Sequence, residues 1–273
     1  MKATGNKAKL KRSQFAVGAV RTMRGMFQDL RALVWITQRN RKINSYLETH
    51  PVAKLQLGTS DNILDGWLNS DVAPVDRSVL YLDATTRFPF ADDVFDYIMA
   101  EHMIEHIEHE AAEGMLRECL RVLKPGGCVR LATPDLDVLL ALHSAEKTGA
   151  QRRYLDWATA TFLPGVQDYK DVFVINNFFQ SWGHCFLYDH DTLRQLLETS
   201  GFQEIKFYKP GSSDDRALQN LETHGRKITE ESNQFETMVA EARKGCQFDD
   251  LIRPHSRVKS GEHDFPSRLQ DAA

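Results

Sequence analysis

Six consecutive residues, Glu101-His102-Met103-Ile104-Glu105-His106, gather four titratable side chains. A neutral imidazole near pH 7 can take a hydroxyl proton, which makes His102 and His106 candidate general bases. The same letters read H-x-x-E-H, the inverted zinc-hydrolase motif, in which two histidines one helical turn apart bind zinc and the glutamate activates water. That chemistry requires a helix through the motif, a third ligand from elsewhere and an open coordination position. Here an apolar run of strand character, Phe95 to Ala100, leads directly into it, so no metal ligands are assigned and the zinc hydrolase stays a remote alternative. A third candidate base, His184, lies between Gly183 and Cys185. Each histidine also has an ordinary explanation, a loop or helix-start residue bonding the backbone. Two acids upstream end apolar runs: Asp71, placed to accept ribose hydroxyls, and Asp83, followed by the small Ala84, whose carboxylate suits an adenine amine. Leu57-Gly58-Thr59-Ser60 ends a third run, where glycine lets a ligand approach the backbone. Single pairs of this kind are often only turn residues.

The elements that must position these groups alternate. Strands are expected over Lys54 to Leu57, Trp67 to Val72, Val79 to Leu82 and Phe95 to Ala100, with a fifth over Cys128 to Pro134. A helix from Glu110 to Leu123 places Ala111, Met115, Leu116, Cys119, Val122 and Leu123 on one face and stops at Lys124-Pro125-Gly126-Gly127. Alternation of this type builds a parallel sheet with its chemistry at the carboxyl ends of the strands. No G-x-G-x-x-G is present, which argues against a dinucleotide, and the path from Gly58 to Asp71 leaves room only for a vestigial helix.

With 273 residues, 42% of them hydrophobic and 10% aromatic, the chain can bury a full core. Cys119, Cys128, Cys185 and Cys246 form no C-x-x-C pair and no secretory leader is evident, so a reducing cytoplasm is expected. No apolar run reaches the roughly 20 residues that span a bilayer. The net charge of −4 conceals eleven Lys or Arg against Asp29 alone in the first 42 residues, which leaves −14 on the rest. Within that basic arm Val20, Met23, Phe27, Leu30 and Val34 recur at helical spacing beside Arg21, Arg24, Gln28 and Arg31. Such a helix suits packing on its own domain or a homodimer partner through residues 13–40, an anionic membrane surface, or a targeting segment. Nucleic acid is disfavoured by the acidic remainder. The polar tail, residues 246–273, carries no readable motif.

The ordered set LQLGTSDNILDGWLNSD, LDATTRFPFADDVFDYIMAEHMIEH and LRECLRVLKPGGCVRLATPDL resembles the class I S-adenosylmethionine-dependent methyltransferases. It is most similar to the type 11 group, in the bacterial branch found beside polysaccharide-biosynthesis enzymes. WGHCFLYDHDTLRQLLETSGFQEIKFY resembles that family's fifth helix and sixth strand, and NQFETMVAEARK its antiparallel seventh strand between strands five and six. The resemblance covers about Pro51 to Gly245. It implies an α/β, Rossmann-like, seven-stranded and mostly parallel sheet with helices on both faces, preceded by the basic helical arm (1–50) and followed by the tail. It also implies insertions near 137–182, capping the substrate pocket, and 211–232. By the same resemblance Leu57, Gly58, Thr59 and Ser60 would hold the methionine end of S-adenosylmethionine, Asp71 its ribose, and Asp83 with Ala84 its adenine. Glu101 and His102 would line the pocket near the methyl group. Ser60 departs from the family's second loop glycine, at a cost on the order of 1 kcal/mol if φ there is positive. The implied reaction is methyl transfer to a hydroxyl of a small molecule, a sugar or glycan intermediate, with a non-catalytic cofactor-binding or partner-binding module as the alternative. The Mg²⁺ site that some relatives build from E-x-x-E-H is put in doubt by His102, which stands where the first glutamate would be. Aromatic residues of the cap, Tyr154, Trp157, Phe162, Phe173, Phe178, Phe179 and Trp182, could stack on sugar faces.

Overall fold

A computed structural model describes residues 38–168 and 170–246. The amphipathic pattern at residues 20–34 and the tail beyond residue 246 lie outside them. One sheet of seven strands organises the chain in the order β3-β2-β1-β4-β5-β7-β6. In chain order these are β1 (Lys54–Leu57), β2 (Leu68–Asp71), β3 (Leu80–Tyr81), β4 (Phe95–Glu101), β5 (Leu123–Pro134), β6 (Gln203–Tyr208) and β7 (Thr237–Arg243). All pairings are parallel except those of β7, which runs antiparallel between β5 and β6 as expected.

Short continuous apolar runs mark strands covered on both faces. Leu55, Leu57, Phe95, Ile98, Ala100, Val129 and Leu131 all enter the main core. Helix α2 (His109–Val122) lays Ala112, Met115, Leu116, Cys119 and Val122 on the sheet. The Lys124-Pro125-Gly126-Gly127 turn is kept as a loop inside the β4/β5 ladder: Phe95 pairs with Leu123, and the next pair is Tyr97 with Cys128. Gly126 sits at φ 78°, and Lys124 Nζ reaches the Asp96 carboxylate at 2.6 Å, closing the bulge. Between β1 and β2 the chain forms turns and no helix, so the vestigial connection expected there is present.

Two features differ from the sequence expectation. Residues 38–49 are helical (α1), and Ile43 and Tyr46 enter the main core, so the packed unit reaches back past the boundary expected at 51. Tyr46 Oη fixes this contact by donating to the Lys54 carbonyl at 2.9 Å. Second, β2 and β3 are shorter than the runs that announced them: only Ser70 with Leu80 and Asp71 with Tyr81 pair at this edge of the sheet.

Helices α3 (Leu136–Ala141), α4 (Gly149–Phe162) and α5 (Lys170–Gln180) occupy the segment expected to cap the pocket. They enclose their own small core of Leu139, Leu142, Tyr154, Leu155, Ala158, Val174, Phe178 and Leu187. A capping box between Thr148 and Gln151 starts α4. Helix α6 (His190–Thr199) covers the main core, and α7 (Glu230–Glu236) leads directly into β7. The 211–222 loop is anchored from β5, where fully buried Arg130 donates to Glu222 at 2.6 Å, to the Ser212 carbonyl at 3.0 Å and to Glu241. All four cysteines are free, and no described helix is long and apolar enough to cross a membrane.

Arg130 is the one buried cation for two buried acids, so its removal strands charge in the interior. Arg130→Ala is expected to cost about 3–5 kcal/mol in urea unfolding, and Arg130→Lys to recover only part because a single ammonium cannot reproduce the guanidinium fork.

Candidate active site

The carboxyl ends of β1, β2, β3 and β4, the cap helices and the segment before β7 surround a half-open cavity of about 650 Å³. One end is built from short-range geometry. Gly58 has φ 65°, and a Cβ added there would lie 2.4 Å from Met103 Cγ, so only glycine fits. Ser60 has φ 49°, confirming a left-handed position at the residue that replaces the expected second glycine. Its backbone N–H donates to Asp71 Oδ2 at 2.7 Å, while Asp71 Oδ1 accepts from Ala73 N at 2.7 Å. The charge-assisted bond offsets a strain of roughly 1 kcal/mol and orients the Asp71 carboxylate at the cavity edge. Asp83 is oriented in the same way, Oδ1 accepting from Thr85 N (2.9 Å) and Thr85 Oγ1 (2.7 Å), with Ala84 beside it in the wall.

Leu57 does not belong to this wall. It is buried in the main core, and strand alternation turns its neighbours Gln56 and Gly58 to the cavity instead. Gln56, absent from the sequence expectation, contributes a buried Oε1 with no partner, and Thr59 contributes a buried Oγ1 in the same condition. Two unpaired polar atoms beside a glycine cradle and two oriented acids match a ligand that carries an amino-acid end, a ribose and an adenine.

Beside the Gly58 loop, at the end of the neighbouring strand, the H-x-x-E-H segment folds otherwise than either reading of it required. His102 ends the strand with φ 46°, and residues Ile104–His106 form a single 3-10 turn. The two motif histidines therefore share no helix, which removes the zinc-hydrolase arrangement. His102 Nδ1 bonds Glu105 Oε1 at 3.1 Å, and His102 Nε2 bonds Thr237 Oγ1 at 3.2 Å. Since the Thr237 hydroxyl donates to Asn233 Oδ1 at 3.0 Å, both ring nitrogens of His102 are donors. Burial opposes the charged form of His102, but its bond to Glu105 and the nearby acids outweigh burial and raise its pKa. Burial likewise opposes the Glu105 carboxylate, and the bond to His102 brings its pKa below the ordinary value. The pair is an imidazolium and a carboxylate, and His102 is not available as a base.

Glu101 lines the cavity with its carboxylate already engaged: it accepts from Thr223 N (2.7 Å), His224 N (2.8 Å), Asn62 Nδ2 (3.0 Å) and Thr223 Oγ1 (3.3 Å). It braces the loop before α7 across the cavity. His106 is exposed and meets His184 with ring centres 5.0 Å apart. His184 donates from Nδ1 to the Phe178 carbonyl at 2.7 Å, which leaves a lone pair on Nε2. Burial lowers its pKa and keeps it neutral.

Besides Gln56, two titratable cavity residues, Glu236 and His224, went unseen in the sequence. Glu236 is 4% exposed, accepts from Tyr154 Oη and lies 3.8 Å from His224 Nε2. Burial pushes its pKa up to about 7. His224 stacks on His102 at 3.9 Å, and burial with the neighbouring His102 charge lowers it to about 3. The signal for Glu236 was present in the strand order: β7 is antiparallel, so its beginning, and not its end, arrives at the carboxyl edge of the sheet. Of the cap aromatics Phe162, Phe178 and Trp182 border the cavity, Tyr154 is buried against Glu236, and Phe173 and Phe179 face solvent.

The strand order with β7 antiparallel between β5 and β6, and an adenosyl-type site on the carboxyl ends, define a class I methyltransferase. A family described as a methyltransferase domain matches residues 42–206, and the chain belongs to it; S-adenosylmethionine is the cofactor. Solved structures similar in fold include a SAM-dependent methyltransferase from Archaeoglobus fulgidus (17% identity, 78% of this chain and 93% of that one, TM-score 0.43). Another is a Haloferax volcanii methyltransferase in complex with the Trm112 activator (16%, 80% and 96%, 0.42). A third is a SAM-dependent methyltransferase from Thermotoga maritima (15%, 73% and 88%, 0.41). No curated protein matches the chain.

Gly58→Ala is expected to weaken S-adenosylhomocysteine binding at least tenfold by calorimetry, with partial recovery in Gly58→Ala/Met103→Ala, where the clash is relieved and only the strain of about 1 kcal/mol stays.

Proposed function

We propose that this protein methylates a hydroxyl oxygen of a small acceptor, a sugar or a sugar-bearing intermediate, with Glu236 taking the hydroxyl proton. The observation that carries the reading is a buried carboxylate, tuned to about 7, at the end of the cavity away from Gly58, Asp71 and Asp83. Gln56, Gly58, Thr59 and Ser60 would hold the amino-acid end of S-adenosylmethionine, Asp71 its ribose and Asp83 its adenine. When bound, that cofactor supplies a methyl group already activated on a sulfonium, so the O–C bond forms as the S–C bond breaks and S-adenosylhomocysteine leaves.

What this chain must add is alignment and proton removal. Tyr154 holds the Glu236 carboxyl in one orientation, and the His102–Glu105 pair fixes the floor beside it. Phe178, Trp182 and Phe162 offer apolar faces on which a sugar ring can stack and exclude water. An acceptor of the polysaccharide-precursor type, reached from the cytoplasmic side of a membrane, would also give the basic arm a partner. Transfer of radiolabelled methyl to pooled sugar and sugar-lipid fractions, and not to protein or RNA, is the expected outcome; label in none of the pools despite measured cofactor binding would sink the reading in favour of a non-catalytic module.

Glu236→Gln provides the sharper check. Turnover in the wild type should rise with pH through about 7, as the carboxylate forms, and the variant should lose roughly 10²–10⁴-fold with that limb gone and S-adenosylhomocysteine affinity retained. Stability should move the other way. The folded pKa lies above the unfolded value, so the protonated carboxyl stabilises the fold at acid pH and that contribution is lost as pH rises to about 7. The variant should therefore match the wild type near pH 5 and exceed it by about 1–3 kcal/mol at pH 8.

A further inference from the structure

We propose that Lys227 binds the carboxylate of S-adenosylmethionine, leaving its partner Asp61 to do so. The inference rests on the cofactor and is independent of the acceptor proposed above. The cofactor's amino-acid end brings an ammonium and a carboxylate into the cavity, and each needs a partner once it leaves water. The ammonium has one: Gln56 Oε1 is buried, unpaired and able only to accept. For the carboxylate the glycine loop has little to give, because its N–H groups are already committed. Thr59 N donates to the Ser70 carbonyl at 3.0 Å, Asn62 N to the Thr59 carbonyl at 2.8 Å, and Ser60 N to Asp71 at 2.7 Å.

Charge leaves one candidate. Asp71, Asp83, Glu101, Glu105 and Glu236 make the lining acidic, and the His102 cation is taken by Glu105. Lys227 is the only lysine or arginine among the described residues that border the cavity.

Its position follows from the sheet. β1 and β4 pair with Leu57 opposite Ala100, which sets Gly58 beside Glu101. Glu101 then gathers two loops, accepting from Asn62 Nδ2 at 3.0 Å on one side and from Thr223 N and His224 N at 2.7 and 2.8 Å on the other. From there a single 3-10 turn (His224–Arg226) carries the chain to Lys227, whose N–H donates to the His224 carbonyl at 2.8 Å. Lys227 Nζ meets Asp61 Oδ1 at 2.5 Å, one residue beyond Ser60. The backbone of Lys227 is thus held, while its ammonium rides on a flexible four-carbon stem beside the turn that takes the amino-acid end.

Giving up Asp61 costs little. The two side chains are 46% and 68% exposed, and ion pairs that open to water are weak. A carboxylate inside the cavity is less screened, so it is the stronger partner. Asp61 is then the resting partner that keeps the ammonium at the cavity edge.

Calorimetry on the full chain tests this by comparing S-adenosylhomocysteine with its decarboxylated analogue. The wild type is expected to prefer the former at least tenfold. Lys227→Met should erase that preference by weakening S-adenosylhomocysteine alone, the analogue changing less than about twofold, and Lys227→Arg should restore much of it. Asp61→Asn should bind S-adenosylhomocysteine as well as the wild type or better, because the lysine is released. Equal weakening of both ligands in Lys227→Met, or a loss in Asp61→Asn as large as in Lys227→Met, would reduce the pair to a brace between two loops and overturn the proposal. Unchanged affinity in Lys227→Met would overturn it as well, with the cofactor assignment intact. A wild type that binds neither ligand would overturn that assignment and the proposal with it.

Discussion

A charged pair buried at the end of β4 holds the rest of the site in place. Removing His102 and Glu105 from water costs several kcal/mol for each ion, and their mutual attraction repays it only with the remaining hydrogen bonds satisfied. Thr133 on β5 and Thr237 at the start of β7 supply those bonds, and His224 stacks on the open face of the imidazolium. Through the Glu105 backbone carbonyl the same turn also receives the 185–186 segment. Five separate stretches of chain thus meet at one ion pair. Such pairs seldom add net stability, so what this one provides is position: none of these elements can shift without breaking a hydrogen bond or ring contact to the pair or to its turn.

Strain follows the same geography. Among the described residues six non-glycine positions have positive φ, and three of them, Ser60, His102 and Trp182, line the cavity. Each turns the chain where a regular strand or helix would have carried it past the site. Ser60 brings its N–H to Asp71, His102 directs its ring back beneath β7, and Trp182 starts the turn that delivers His184. A left-handed tryptophan has no local compensation comparable to Ser60's bond, and the packing of Phe162 and Phe178 against its ring holds it.

The sheet was legible from the sequence because its strands are short apolar runs bounded by turn residues, and the antiparallel position of β7 followed from the family resemblance. The geometry around Gly58 was legible for a related reason: Gly58, Asp71 and Asp83 lie at or just past strand ends, so their neighbours in sequence are their neighbours in space. Leu57 was misplaced by one residue, which in a strand is the difference between cavity and core. The acceptor end was not legible. Glu105 finds its partners 28 residues ahead at Thr133 and 80 residues ahead at Cys185, and Glu236 is paired 82 residues back with Tyr154. No local pattern encodes those distances. Reading His102 as a base failed for the same cause: its protonation is decided by Glu105, Thr237 and Asn233, and only the first is nearby in sequence.

That division has a consequence for what the cavity accepts. Near the acceptor end, burial drives Glu236 toward its neutral form and His224 away from its charged one, while the His102 charge is balanced by Glu105. The four groups together carry little net charge near neutral pH. A cationic amine placed there would meet only the partly ionised Glu236 to repay its desolvation, and a phosphate would meet one cavity-lining lysine, Lys227, already engaged with Asp61. An uncharged polar acceptor avoids both penalties, since it asks only for hydrogen bonds, a base and a face to stack on. The sugar hydroxyl proposed as acceptor is of this uncharged kind, and the balance of the His102–Glu105 pair is the physical ground for preferring it to a charged one.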